Sequence, residues 1–172
     1  AERLKFWAGR KAAFPAAGRI SADYYCMDGT IPRKRVGEML LAIQGMEKKY
    51  GLRCINVFHA GDGNMHPLIL FDANRTGELD RAEAFGADIL ELSVALGGTI
   101  TGEHGVGVEK INQMCSQFTT PEIETFFRVK AAFDPDGLLN PGKAIPTLNR
   151  CAEYGRLRVS NGQLPHPELE RF

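Results

Sequence analysis

The stretch CINVFHAGDGNMHPLILF, residues 54–71, decides the fold of this 172-residue chain. Two short runs rich in β-forming side chains, 54–58 and 67–71, lie on either side of a segment rich in glycine and polar residues. Such a pattern predicts an antiparallel hairpin. The hairpin places His59 at the end of one strand and His66 at the start of its return partner.

Helical patterns lie on both sides of this hairpin. The apolar residues of segment 33–50 recur on one helical face, and Gly51 stands where a left-handed cap belongs. Further helices are predicted at 78–96, before a Gly-Gly pair, and from Pro121 to about residue 132. Helices segregated from a small antiparallel sheet indicate an α+β fold, with helices on one face of the sheet.

The remaining segments are shorter or irregular. Residues 1–13 predict an amphipathic helix that ends before Pro15 and Gly18, and a short extended piece is expected at 30–32 after an irregular crossing. Residues 133–146 predict a loop, and 147–172 an extended, surface-wrapping arm. Because the chain opens directly on a helical pattern without methionine, we expect a fragment of a longer protein.

Composition excludes several classes of partner. Lys plus Arg and Asp plus Glu number 21 each, so the chain lacks the basic balance that nucleic acids select. No apolar run approaches the roughly 18 residues that span a bilayer, which predicts an intracellular protein without a transmembrane segment. The four cysteines are far apart and form no CxxC motif, so reduced thiols are expected.

Two Gly-rich loops carry three of the four histidines. If the hairpin turn closes symmetrically, His59 and His66 are directly opposed, with Cβ atoms roughly 4.5–5.5 Å apart, and can share one metal ion. The loop after the long helix adds Glu103 and His104. Two imidazoles and one carboxylate predict a divalent-metal site with coordination positions left open for a ligand, as in catalytic sites.

Other interpretations stay open. Asp62 and Asn64 are also typical of a hairpin turn, and Glu103 and His104 of surface ion pairs. A zinc-dependent hydrolase would use the same donor types, although the sequence lacks an HExxH helix. A non-catalytic interaction domain, in which a metal only stabilises loops, is the third alternative.

Three motifs together carry a resemblance. HAGDGNMH (59–66), GGTITGEHGVGVEK (97–110) and FDPDGLLNPGKAIP (133–146) resemble, in this order, the C-terminal domain of FAD-linked oxidases of the vanillyl-alcohol oxidase class. The match runs from about residue 7 to residue 146. The tail beyond it is similar to the flavin-bearing D subunit of bacterial glycolate oxidases.

The resemblance implies a ferredoxin-like cap domain over residues 1–146, followed by an arm, 147–172. The cap would cover FAD, which is mostly held by a further N-terminal domain, so the chain alone is expected to be inactive. The implied reaction is oxidation of glycolate or another D-2-hydroxyacid to the 2-oxoacid, with D-lactate and D-2-hydroxyglutarate as alternative substrates. Where related enzymes hold the substrate carboxylate with a lysine, Tyr25 or Cys26 stands here, which favours a small acid.

The resemblance also assigns residues. It implies that a zinc or manganese ion is bound by His59, His66 and Glu103, that His104 is the catalytic base, that Arg10 and Asn64 contact the substrate, and that Asn140 and Lys143 face the flavin. An iron–sulfur subunit and a second flavin subunit are the implied partners. A cytoplasmic location follows, with peripheral association with the inner membrane through those partners as an alternative.

Overall fold

A computed structural model describes residues 2–146, and the predicted arm at 147–172 lies outside the described residues. The chain divides into two compact units, of which the first ends at Glu103 and the second begins at His104. In the described part, no helix is long and apolar enough to cross a membrane.

The first unit contains four helices and four strands. In chain order they are α1 (Glu2–Lys11), α2 (Ala13–Ala17), β1 (Asp23–Cys26), β2 (Gly29–Thr30), α3 (Val36–Tyr50, preceded by a 3-10 turn at Arg33–Arg35), β3 (Cys54–His59), β4 (Asn64–Phe71) and α4 (Glu78–Ala95). The predicted hairpin is confirmed as β3 and β4. The helices predicted at 33–50 and 78–96 are confirmed as α3 and α4.

All strand pairs within residues 2–146 are antiparallel, and β4 is the central strand. It pairs with β3 along one side and with β1 and then β2 along the other. A single bridge joins Thr30 to Thr99, beyond α4. If β1 and β2 count as one interrupted strand and Thr99 as the start of a last one, the order is βαββαβ, which is that of a ferredoxin-like fold. The α+β prediction is confirmed.

Helix α4 covers the sheet face that carries Tyr25 and Met27. A Cβ atom added at Gly86 of α4 would lie 2.7 Å from the Met27 sulfur and 2.9 Å from a Tyr25 ring carbon. Helix α3 packs beside α4, and the ring of Tyr50 stacks on that of Phe85 at 5.3 Å. The apolar core of this unit therefore lies between these two helices and one face of the sheet.

The opposite sheet face has an apolar end and a polar end. At the apolar end, Ala17 of α2 packs on Leu68 and Leu70, with Val57 beside them. Because side chains alternate along a strand, residues 64 and 66 of β4 lie on this same face, past the cover that α2 supplies. The polar end of this sheet face thus begins where the α2 contact ends.

Helix α4 ends in a Schellman motif at the predicted Gly97-Gly98 pair. The N–H of Gly97 donates to the Val94 carbonyl, that of Gly98 donates to the Ser93 carbonyl, and Gly97 has φ +86°. A Cβ at Gly98 would lie 1.8 Å from the Thr30 carbonyl oxygen. Only glycine allows the chain to turn here and pair with Thr30, which directs the following residues toward the polar end of the sheet.

Two predictions for the N-terminal part are wrong. Residues 23–26, expected to be irregular, form strand β1, whose register pairs Cys26 with Leu68. Pro15, expected to lie beyond the first helix, is inside the short helix α2. Proline is tolerated in the first turn of a helix, because its missing N–H has no partner there in any case.

The second unit contains α5 (Met114–Gln117) and α6 (Thr120–Phe133). The prediction of a helix from Pro121 is confirmed by α6, which a capping box begins: the Thr119 hydroxyl and Glu122 carboxylate cap each other's backbone amides. Helix α5 was not predicted.

The prediction of reduced thiols is wrong for Cys115, on α5, which is disulfide-bonded. Cysteines that are far apart in the sequence can still meet in the folded chain. Cys26 and Cys54 form no disulfide.

Asp134 connects α6 to the loop that follows. Its carboxylate accepts bonds from Lys130 Nζ and from the amides of Leu138, at 2.8 Å, and Leu139, at 3.0 Å. The Lys130 bond, aided by these amides, holds the pKa of Asp134 below the ordinary 3.8. A lowered folded-state pKa stabilises the protein above the unfolded value, and this contribution is lost as the pH falls through the folded value.

We therefore expect Asp134→Asn to lower the urea midpoint at pH 7 and to remove part of the acid sensitivity below about pH 4. Urea unfolding at pH 7 and pH 3 checks this expectation. Asp136→Asn, in the same loop, is the control, since the described structure shows no hydrogen bond to its carboxylate. Equal pH dependence in the wild type and Asp134→Asn would contradict the assignment.

Candidate metal centre

The hairpin turn brings the side chains of His59, Asn64 and His66 to one face of the sheet. The amides of Asp62 and Gly63 both donate to the His59 carbonyl, which closes a loop of four residues. The register pairs His59 with Asn64, and His66 with Val57. The prediction that His59 and His66 are directly opposed is therefore wrong, because the turn is two residues tighter than symmetric closure at these histidines requires.

The two histidines nevertheless lie together. They are diagonal neighbours on the same face, and their ring centroids are 5.3 Å apart with the ring planes at 78°. A diagonal pair is within reach of aromatic side chains. The two histidines therefore remain close enough for one site, although the strand register differs from the predicted one.

His66 is buried, and its orientation is fixed by the backbone. Its Nδ1 lies 3.3 Å from the Met27 carbonyl oxygen. Because a carbonyl can only accept, this bond places the proton on Nδ1, and Nε2 is left to face Glu103 Oε1 at 2.9 Å. A lone pair and a carboxylate at this distance repel each other unless a proton or a metal ion lies between them.

His59 extends the cluster toward solvent. Its Nε2 is 3.5 Å from the same Glu103 oxygen, Oε1, that faces His66. The guanidinium of Arg10, from α1, lies 3.0 Å from His59 Nδ1 and 3.4 Å from the Phe58 carbonyl oxygen. One carboxylate oxygen of Glu103 therefore faces both histidines, and the positively charged Arg10 side chain lies at the rim of the cluster.

The loop that carries Glu103 is held by Asp28, which is not among the predicted site residues. The Asp28 carboxylate is fully buried and accepts bonds from the Thr101 hydroxyl and the amides of Gly102 and Glu103. Its Oδ1 is 3.9 Å from His66 Nδ1. The sequence signal was an Asp-Gly pair that is equally typical of an ordinary turn.

Asn64 contributes a buried amide without a hydrogen-bond partner for its oxygen. The residue is 7% exposed, and its Oδ1 has no partner among the described residues. A Cβ added at Gly102 would lie 2.5 Å from this oxygen, so the loop backbone runs directly against the amide. A buried acceptor left unsatisfied costs free energy, which is typical of a site that receives a ligand.

Five of the predicted site residues thus meet in the first unit: Arg10, His59, Asn64, His66 and Glu103. His104, Asn140 and Lys143 belong to the second unit. His104 is exposed and directly follows Glu103 in the chain. Asn140 has a positive φ of 46°, and its carbonyl accepts a bond from the Lys143 amide at 3.3 Å. The roles of all eight residues stay predictions.

Fold and site together define an α+β domain with an open cluster of two histidines and one glutamate. The family model "FAD linked oxidases, C-terminal domain" matches residues 1–144. The chain belongs to this family.

Three curated relatives show how the chain compares with longer proteins. It is 69% identical to glycolate oxidase subunit GlcD of Escherichia coli over its whole length, which is 34% of that protein. It is 40% identical to the Bacillus subtilis subunit of the same name over 78% of the chain and 28% of the relative. A mitochondrial D-lactate dehydrogenase (cytochrome) of Arabidopsis thaliana is 31% identical over 84% of the chain and 26% of its own length. The chain spans about a third or less of these relatives.

Proposed function

We propose that this chain is the substrate-binding cap of an FAD-dependent enzyme that oxidises glycolate, or another small D-2-hydroxyacid, to the 2-oxoacid. The observation that carries the proposal is the 2.9 Å approach of Glu103 Oε1 to His66 Nε2 beside His59. A divalent cation between these two atoms would make them ligands of one centre. The names of the relatives, which include glycolate oxidase and D-lactate dehydrogenase, support the substrate class.

His59, His66 and Glu103 are the residues that would hold the cation. Nitrogen and carboxylate donors suit zinc or manganese, and three protein ligands leave positions open for substrate oxygens. When bound, the cation would lower the pKa of the substrate hydroxyl and neutralise its carboxylate. The Met27 carbonyl keeps His66 in the tautomer that presents Nε2.

The residues around this ligand set have separate tasks in the proposal. Arg10, at the rim, binds the substrate carboxylate, since a guanidinium matches its geometry. Asn64 contacts the substrate through its buried amide, whose oxygen has no hydrogen-bond partner among the described residues. His104, next to Glu103 in the chain, accepts the hydroxyl proton as general base.

FAD, held mostly by a further domain, would accept the hydride that leaves the substrate. In the proposal, Asn140 and Lys143 approach the flavin from the cap. The relatives are named as subunits, which supports assembly with other chains. An iron–sulfur subunit and a second flavin subunit are the proposed partners, with a cytoplasmic location that partner subunits can bring to the inner membrane.

Two experiments test this function, first a measurement of metal content and then a measurement of flavin reduction. We expect elemental analysis to find about one divalent ion per purified chain, by the ligand count of such sites, and a His59→Ala, His66→Ala double variant to lose it. With the chain joined to a flavin-binding domain, glycolate should bleach the flavin under anaerobic conditions.

The outcomes separate the alternatives. Bleaching by D-lactate or D-2-hydroxyglutarate but not by glycolate would move the substrate assignment within the family. Bound metal without any flavin reduction, together with ester or amide hydrolysis, would favour the metal-dependent hydrolase. Bound metal with neither activity would leave a metal-stabilised interaction domain.

A further inference from the structure

Asp28 contacts both His66, on β4, and the backbone of the loop that carries Glu103. The register that pairs Cys26 with Leu68 continues to the Met27 amide, which donates to the Pro67 carbonyl. Two residues beyond Cys26, Asp28 therefore falls beside His66 on the polar face. Its carboxylate is completely buried, in the short gap between β1 and β2.

The same carboxylate organises the backbone of the Glu103 loop. Oδ2 accepts the Thr101 hydroxyl at 2.8 Å and the Gly102 amide at 3.0 Å, and both oxygens lie 3.2 Å from the Glu103 amide. Hydrogen bonds to a charged acceptor are roughly twice as strong as neutral ones. Residues 101–103 are thus bent around one buried carboxylate group, and the Glu103 side chain leaves the loop from that bend.

We propose that Asp28 is a positioning residue for the metal centre, which fixes the separation of Glu103 from His66 before any cation arrives. The inference rests on the proposed function. The Glu103 side chain is 54% exposed, so its placement follows mainly from its backbone, which Asp28 holds. Asp28 Oδ1 also lies 3.9 Å from His66 Nδ1, so one carboxylate borders both ligands.

The substitution Asp28→Asn separates this role from folding. The main-chain bond from the Gly102 amide to the Asp28 carbonyl, at 2.8 Å, survives any side-chain change. Asparagine keeps the shape but loses the charge and one acceptor oxygen. We expect the variant to fold and to bind the cation about 10–100-fold more weakly, the usual effect of changing a group that supports a ligand.

The experiment compares the wild type with Asp28→Asn, Thr101→Val and Asp72→Asn, each joined to the flavin-binding domain. Thr101→Val removes the hydroxyl bond to Asp28 and should weaken cation binding several-fold. Asp72→Asn is the matched control, because its carboxylate caps the Asn74 amide after the far end of β4. Zinc affinity is measured by competition with a chromophoric chelator, and the coordination geometry by the visible spectrum of bound cobalt(II).

Each outcome decides one question. Weaker zinc binding in both Asp28→Asn and Thr101→Val, with Asp72→Asn unchanged, supports the inference, because Thr101→Val leaves the Asp28 carboxylate in place. Weaker binding in Asp28→Asn alone would make Asp28 a ligand, whose carboxylate lies within 4.8 Å of ligand atoms of His66 and Glu103, and overturns the inference. Wild-type affinity in Asp28→Asn overturns it and leaves the proposed function intact. If Asp28→Asn does not fold, Thr101→Val decides, and unchanged affinity there overturns the inference. A wild type that binds neither cation overturns the proposed metal site itself, and the inference with it.

Discussion

Replacing Glu103 with glutamine should reduce the rate of flavin reduction by 2-hydroxyacid about 10³-fold or more, which corresponds to about 4 kcal/mol of transition-state stabilisation. Glu103 Oε1 is the atom that faces both His66 Nε2, at 2.9 Å, and His59 Nε2, at 3.5 Å. Glutamine has a similar shape but presents a neutral amide. The charge that holds a divalent cation between the histidines would be lost.

Stopped-flow reduction of the flavin, with the chain joined to its flavin-binding domain, measures this effect. Metal content is determined on the same samples, so that loss of the cation and loss of rate can be compared directly. Glu83→Gln is the control, because Glu83 is an exposed glutamate of α4, the helix that covers the opposite face of the sheet. A Glu103→Gln enzyme that retains both metal and wild-type rate would remove Glu103 from the proposed ligand set.

The sequence was most informative where one local signal acted alone. The helical period of the sequence predicted α3, and the left-handed Gly51, with φ +65°, ends this helix at the predicted position. The Gly97-Gly98 pair likewise predicted the end of α4. Such caps depend on residues adjacent in the chain, and sequence patterns describe those directly.

Sequence reasoning failed where the outcome depended on the number of turn residues. Placing His59 opposite His66 assumed a six-residue connection, whereas two amides closing on the His59 carbonyl leave four. The period of two along each strand still returned both rings to one face. The composition of the site was thus predictable, but its register was not.

Asp28 was missed for a different reason. Its three loop contacts come from residues more than 70 positions away, and the sequence beside it indicates only a turn. A buried carboxylate cannot be told from a turn aspartate by its neighbours in sequence, because the groups that satisfy it arrive through the fold. Supporting groups of this kind become visible only with the tertiary structure.

A large loss of folding stability is expected from Gly63→Ala, at the end of the hairpin turn. Gly63 has φ +78°, and a Cβ atom there would lie 2.0 Å from the Ile31 carbonyl oxygen. The same residue accepts the Ile31 amide at 3.0 Å, so relieving the clash breaks the contact that joins the turn to the segment after β2. Left-handed strain and a backbone clash together should cost about 2–4 kcal/mol.

Gly61, two residues earlier in the same turn, provides the matched control. A Cβ there meets nothing within 4 Å, and its φ is not positive, so Gly61→Ala should change stability by less than about 0.5 kcal/mol or stabilise slightly by restricting the unfolded chain. Urea unfolding of the two variants gives the comparison. Because Gly63 lies between His59 and Asn64, its variant should also lose zinc affinity while Gly61→Ala keeps it. Equal unfolding midpoints for the two variants would show that the turn does not require glycine at position 63, and that the close packing of Ile31 against it contributes little to the fold.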